Sequence, residues 1–251
     1  MPVRRTHLAL SALGWLGFGA VTFWAMAFLA GVLLPRTVDG PHRVAAPLAV
    51  AVDLTLLLLF AAQHSVMARR SVKAWLRRRV PAPLERTTYV LATNACLALL
   101  FLLWQPFGGT AWEVGGGAAV VLWVLCAAGW SLAVASTFAV DHLELVGLRQ
   151  AGWGHPPQPR PDLETGGLYA VVRHPLMTGL LLAFWATPSM SVSHLVFAAA
   201  STGYVAVGVA FEERDLRRTF GAAYDEYAAR VASVVPGLVL RRRAVGVGQD
   251  A

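Results

Sequence analysis

From Leu8 to Leu34 the chain carries no charged side chain. A stretch of that length can satisfy its backbone in hydrocarbon only as a helix, because lipid offers no partner for a free N–H or C=O. Three further apolar runs, Ala45 to Met67, Thr87 to Trp104 and Gly115 to Val140, read as crossings of the same kind. A later pair is less regular. Leu176 to Pro188 is apolar but short, Ser189 to Ser193 reads as a turn, and Ser193 to Phe211 is apolar again. Hydropathy leaves a helical hairpin and a single broken span both open here. The first run is too long for a signal-peptide core and is read as a retained span.

Composition excludes the soluble alternative: 57% of the residues are hydrophobic and 14% charged, with a mean hydropathy of +0.56, values that a soluble domain rarely reaches. The formal charge of +7 is gathered into short basic segments beside the apolar runs, which is a topology signal and not a nucleic-acid footprint. Arg4 and Arg5 precede the first run, and Arg69, Arg70, Lys73, Arg77, Arg78 and Arg79 fill the loop after the second. Those ends are assigned to the cytoplasm. The Gln105 to Gly117 connection has no basic residue, whereas Arg149, Arg160 and Arg173 bring the next segment back, and an even number of crossings leaves Arg241, Arg242 and Arg243 inside as well. The expected protein is all-α: a multi-pass protein of the cell inner membrane with five to six transmembrane helices and both termini cytoplasmic. It reads as one domain over 1–251, with a four-span half (1–140) and a C-terminal half (141–240). Cys96 and Cys126 lie inside apolar runs without metal-ligand spacing, so no metal site is expected.

Between the fourth and fifth runs, Asp141 to Val172 is polar and holds Pro156, Pro157, Pro159 and Pro161, which predicts a semi-rigid loop. From Glu212 onward, Leu216, Phe220, Ala223, Tyr227 and Val231 recur at helical spacing, predicting an amphipathic cytoplasmic helix that ends before Pro236. Asp53, inside the second run, is expected to make a helix-pair contact with Asn94.

The densest polar chemistry is Thr165-x-Gly167-x-Tyr169-x3-Arg173-His174-Pro175-x3-Gly179, followed by Glu212-Glu213. Arg173 and His174 sit before a proline suited to a first helical turn, hence at the positive end of the next helix, where anions are stabilised. Gly179 lets a neighbouring helix or a ligand approach. An acidic pair beside lipid needs water, arginine or a ligand cation. The two halves suit a zwitterion, with its carboxylate toward Arg173 or His174 and its ammonium toward Glu212 or Glu213. S-adenosylmethionine has such an amino-acid end, although charge alone does not select it.

These residues, with Phe220-Gly221-x2-Tyr224-x2-Tyr227-x3-Val231, resemble the C-terminal half of the isoprenylcysteine carboxyl methyltransferase and phospholipid methyltransferase superfamily. More narrowly, five stretches in order resemble the bacterial methanethiol S-methyltransferase family, whose members are NnrU-like: Ala62 to Arg69, Glu85-Arg86-x-Thr88-Tyr89, His142-x4-Gly147-Leu148-Arg149-Gln150, Ala183 to Pro188 and Glu212 to Leu216. Met177 stands where the wider superfamily often has tyrosine. The resemblance implies S-adenosyl-L-methionine as cofactor, methanethiol as the small thiol partner, and membrane lipid around an enzyme that makes dimethyl sulfide. It assigns cofactor binding to Tyr169, Arg173, His174, Gly179, Glu212, Glu213, Tyr224 and Tyr227.

In-line methyl transfer needs a thiolate, and the implied base or positive field falls first to His142, then to His64, with Arg149 gating the substrate side. Two other readings stay open at this stage. One is a superfamily methyltransferase for isoprenylcysteine or phospholipid headgroups, the other a non-catalytic NnrU-like transporter or sensor.

Overall fold

In the computed structural model, which describes residues 2–157 and 162–238, nearly every regular element is a helix. α1 (Pro2–Ala30), α2 (Ala46–Ala68), the short α3 (Arg70–Leu76) and α4 (Glu85–Leu103) come first. A small strand β1 (Thr110–Glu113) leads to α5 (Gly116–Ala139), the single turn α6 (His142–Leu145) and α7 (Pro175–Trp185). β2 (Ser189–Ser191), α8 (Val192–Phe220) and α9 (Ala222–Arg230) complete the described chain. Five helices are long and apolar enough to cross a membrane. No more than 28% of any span's apolar window is buried against protein, and Leu16, Phe23, Leu58, Val124 and Phe138 stand more than half exposed. Those faces require lipid, so the protein is a polytopic, all-α membrane protein.

The core sits at the rim opposite the Arg69–Arg79 segment. Phe28 (α1), Phe101 (α4), Trp104 just after α4 and Phe197 (α8) meet tilted or edge-on with ring centroids 4.9–6.3 Å apart. The Trp104 indole N–H reaches Ser193 Oγ at 2.9 Å. At this rim β1 and β2 pair antiparallel, Thr110 opposite Ser191 and Glu113 opposite Ser189. The segment expected to be a turn is therefore a strand, and Ser191 goes on to cap α8 by accepting from the His194 N–H.

That pairing decides between hairpin and broken span. The 11 residues of α7 cover roughly 16 Å, about half of a hydrocarbon core. Non-helical backbone from Ala186 to Pro188 and then β2 complete the crossing, tied to β1 by Val114 N–H to Pro188 O at 2.8 Å. α8 then returns to the arginine side, where Glu213 meets Arg173. The result is a hairpin.

Four other expectations change. α8 does not stop at the acidic pair but continues to Phe220, where Gly221 (φ +55°) turns the chain into α9, and the amphipathic segment is thus split. Val231 is not helical: Val172 bridges Ala232 in parallel, and the Arg173 and His174 N–H groups donate to Ala232 O (2.8 Å) and Ser233 O (3.0 Å). Asp53 takes the Gln105 N–H at 2.8 Å, while Asn94 donates to Gly14 O at 3.0 Å, so the two cap backbone groups instead of each other. The loop after α5 is not uniformly polar linker, because Val146, Leu148 and Ala151 are buried in the bundle and Arg4 holds Gly152 O. Pro159, Arg160, Pro161 and Arg241 to Arg243 lie outside the described residues.

Candidate functional site

Three segments converge at the start of α7. Pro175 opens the helix with a φ suited to its first turn, α8 brings its acidic pair alongside, and the stretch after α9 is stitched to Val172–His174 by the backbone bonds above. Glu213 is the hub. Its Oε1 accepts from Arg173 Nε (3.1 Å), Arg173 Nη2 (2.5 Å) and Ser233 Oγ (2.8 Å), and its Oε2 from Arg217 Nη2 (3.2 Å). Arg173 also donates through Nη1 to Ala228 O at 3.1 Å and to Val231 O. The Arg173 and Glu213 side chains are only 9% and 12% exposed. In this state they neutralise one another and lock α7, α8 and the C-terminal segment together.

His174 is buried beneath them, Nδ1 3.4 Å from Glu212 and Nε2 3.4 Å from Glu213. Those distances are long for hydrogen bonds, so these contacts are ion pairs. Burial by itself would lower its pKa, but the two carboxylates outweigh burial and lift it to about 9. The charged form therefore stabilises the fold fully below the ordinary histidine value near 6.5, and this contribution fades as pH rises through about 9. Thermal midpoints measured from pH 6 to 10 are expected to fall across that window in the wild type, and His174→Gln should flatten the fall.

α9 closes the cluster. The Tyr227 hydroxyl donates to Tyr169 O at 2.6 Å, and the Arg217 guanidinium lies 5.2 Å over the Tyr224 ring. Tyr224 is fully buried, and its hydroxyl has no hydrogen-bond partner among the described residues. Glu212, 55% exposed, is the freer carboxylate. Tyr169, Arg173, His174, Glu212, Glu213, Tyr224 and Tyr227 thus share one neighbourhood. Gly179 serves the helix alternative: a Cβ there would stand 2.5 Å from Ala133 N and 2.6 Å from Gly129 O, so α5 backbone fills the space. Ser233 belongs to the cluster without any motif to announce it, because its contact depends on the C-terminal segment folding back.

His142 and Arg149 form a second group around a recess of about 600 Å³, with Trp15, Phe138 and Asp141 in its wall. Asp141 adopts φ +65°, rare for a residue with a side chain, and its carboxylate accepts from Leu143 N, Glu144 N and Arg149 Nε at 3.1–3.2 Å. Thr137 gives its hydroxyl proton to Val134 O (2.8 Å), so its oxygen accepts from His142 Nδ1–H (2.9 Å), and Nε2 accepts from the Trp15 indole (2.9 Å). This network selects the neutral Nδ1–H tautomer. Burial pushes the His142 pKa below its ordinary value against the opposing charge of Asp141. A third group holds His64, which packs on Phe60, Tyr89 and Tyr204, with the Tyr89 hydroxyl 2.8 Å from Nε2.

A helical membrane bundle with a buried charge cluster at one rim is a polytopic membrane protein built around a polar site. The sequence model of the NnrU family, described as NnrU protein, matches residues 54–242. A protein named methanethiol S-methyltransferase from a Pseudomonas strain is 42% identical over 88% of this chain and 86% of its own length. Its namesakes from Mycobacterium tuberculosis and Pseudomonas deceptionensis are 44% and 46% identical, over 93% and 82% of this chain and 97% and 79% of their own. The chain belongs to the NnrU family and is an enzyme of the methyltransferase class.

Proposed function

We propose that the chain methylates methanethiol, forming dimethyl sulfide, S-adenosylhomocysteine and a proton from the thiol and S-adenosylmethionine. The observation that carries this reading is near-full-length identity above 40% to proteins that bear that activity in their names. Bound S-adenosylmethionine supplies a methyl group already made electrophilic by its sulfonium charge.

The cluster at α7 fits the donor's amino-acid end. It offers a freer carboxylate at Glu212 for an ammonium, and protonated His174 for a carboxylate, which Arg173 joins only by turning a donor from Glu213. Tyr224 adds a buried hydroxyl without a partner, the kind of atom a ligand satisfies. Tyr169 and Tyr227 brace α9 against the segment before α7. On the acceptor side the apolar faces of Trp15 and Phe138 suit a small thiol. His142 stays neutral at ordinary pH and takes the thiol proton on Nε2 when Trp15 releases it, Arg149 shapes the rim of the recess through Asp141, and His64 is the second choice of base. The whole chain acts as one membrane-embedded domain. Its arginine distribution supports an inner-membrane topology with both termini cytoplasmic, annular lipid covering the spans.

The test is product analysis on purified membranes. S-adenosylhomocysteine and dimethyl sulfide should appear together only when methanethiol is added, and methylation of prenylcysteine or lipid headgroups instead would replace the acceptor proposed here. His142→Ala is expected to lower turnover about a hundredfold, the lower end of general-base effects, with S-adenosylhomocysteine affinity within twofold of wild type. Unchanged turnover at saturating thiol removes His142 from the chemistry.

A further inference from the structure

Next to the His142 and His64 groups, a second recess of about 490 Å³ opens on the arginine side between α3, the start of α4 and the α6 turn. Its wall carries Lys73, Arg77, Glu85, Arg86, Glu144 and Gln150. Arg77 and Glu85 satisfy each other as an ion pair. The rest form no hydrogen-bonded ion pair, although Glu144 and Glu85 are near enough to attract Arg86. Arg86 gives Nε to Leu145 O at 2.6 Å and lays its guanidinium 5.1 Å over Tyr89. Among the described residues its terminal nitrogens, the Lys73 ammonium and the Glu144 carboxylate have no hydrogen-bond partner, and Gln150 Oε1 is buried without one. Groups of both signs without hydrogen-bonded partners, lining one cavity, suit a ligand with an acceptor-rich anion and a nearby donor.

The setting says where such a ligand comes from. α3 joins two membrane spans, its Trp75 is 54% exposed, and Arg79 lies 5.5 Å over that indole. An exposed tryptophan flanked by arginines at the end of a span marks headgroup depth. We infer that this recess binds a phospholipid headgroup, its phosphodiester held by Lys73 and Arg86 and its terminal ammonium or hydroxyl donating to Glu144 and Gln150. Choline lacks that donor and is disfavoured. This inference does not rest on the methyl-transfer reading.

Native mass spectrometry of the full-length protein released from detergent, after incubation with phosphatidylethanolamine, phosphatidylglycerol or phosphatidylcholine, tests this. One retained phosphatidylethanolamine or phosphatidylglycerol per chain is expected, with phosphatidylcholine retained at least tenfold less. Lys73→Gln and Glu144→Gln, neither of which removes a side-chain hydrogen bond within the protein, should each reduce retention roughly tenfold, the scale of one charge-assisted contact. Arg78→Gln, outside the recess, should leave it unchanged. Equal losses in all three variants would mean diffuse surface charge and overturn the site. Protection of the wild type against heat by inorganic phosphate alone, equal to that by lipid, would overturn the lipid assignment.

Discussion

Glu213→Ala is expected to cost roughly 3–5 kcal/mol of stability, the range found when one partner of a buried ion pair is removed. The loss follows from what remains. Arg173, its side chain 9% exposed, would keep its charge with only the carbonyls of Ala228 and Val231 to face, and Ser233 and Arg217 would lose the same acceptor. The C-terminal segment is attached to α7 through this hub, so it should loosen first, and S-adenosylhomocysteine uptake should vanish with it. Glu212→Gln provides the contrast. Its carboxylate is 55% exposed and carries none of those hydrogen bonds, only the 3.4 Å ion pair with His174, so the thermal midpoint should fall far less than for Glu213→Ala while ligand affinity drops at least tenfold. Thermal unfolding in detergent beside calorimetric titration separates the two. If Glu212→Gln binds ligand normally, the ammonium contact proposed for it is wrong, and if Glu213→Ala melts like wild type, the hub is not structural.

Gly179→Ala is the second large effect. α5 and α7 approach so closely that a Cβ on Gly179 meets Ala133 N at 2.5 Å, and one on Gly129 meets Ala183 N at 2.6 Å. Both obstacles are backbone, which no rotamer change can move. The helices must separate, with a cost of about 1–3 kcal/mol for overpacking and the loss of contacts that small residues make possible between membrane helices. His174 precedes the first turn of α7, so the displacement reaches the charged cluster and activity should fall with stability. Gly203→Ala is the control: nothing lies within 4 Å of its added methyl, and better helix propensity predicts no loss or a gain below about 1 kcal/mol. Equal midpoints for the Gly179 and Gly203 variants would show that the close approach is not needed.

Much of this was legible without coordinates because it is written locally. A charge-free stretch such as Leu8 to Leu34 must be helical in lipid, whatever surrounds it. Likewise Arg173-His174-Pro175 and Glu212-Glu213 are polar groups whose only economical place is a shared site. The pairing within that site was not legible. The zwitterion reading set arginine and glutamate apart as two ends waiting for a ligand, whereas folding brings Arg173 and Glu213 together across 40 positions and leaves Glu212 and Tyr224 as the less satisfied groups. Gly179 was ambiguous for the same reason, since only the path of α5 shows what fills the space above it.

The amino-acid sequence by itself determined the solvent, the helical class, the basic rim and the residues that carry chemistry, because hydropathy and charge act over one or two turns and do not depend on distant chain. Tertiary structure alone decided which charge answers which, why the short α7 still completes its crossing, and that the segment after α9 closes the site. Those outcomes turn on contacts between segments far apart in the chain, whose register no local pattern records.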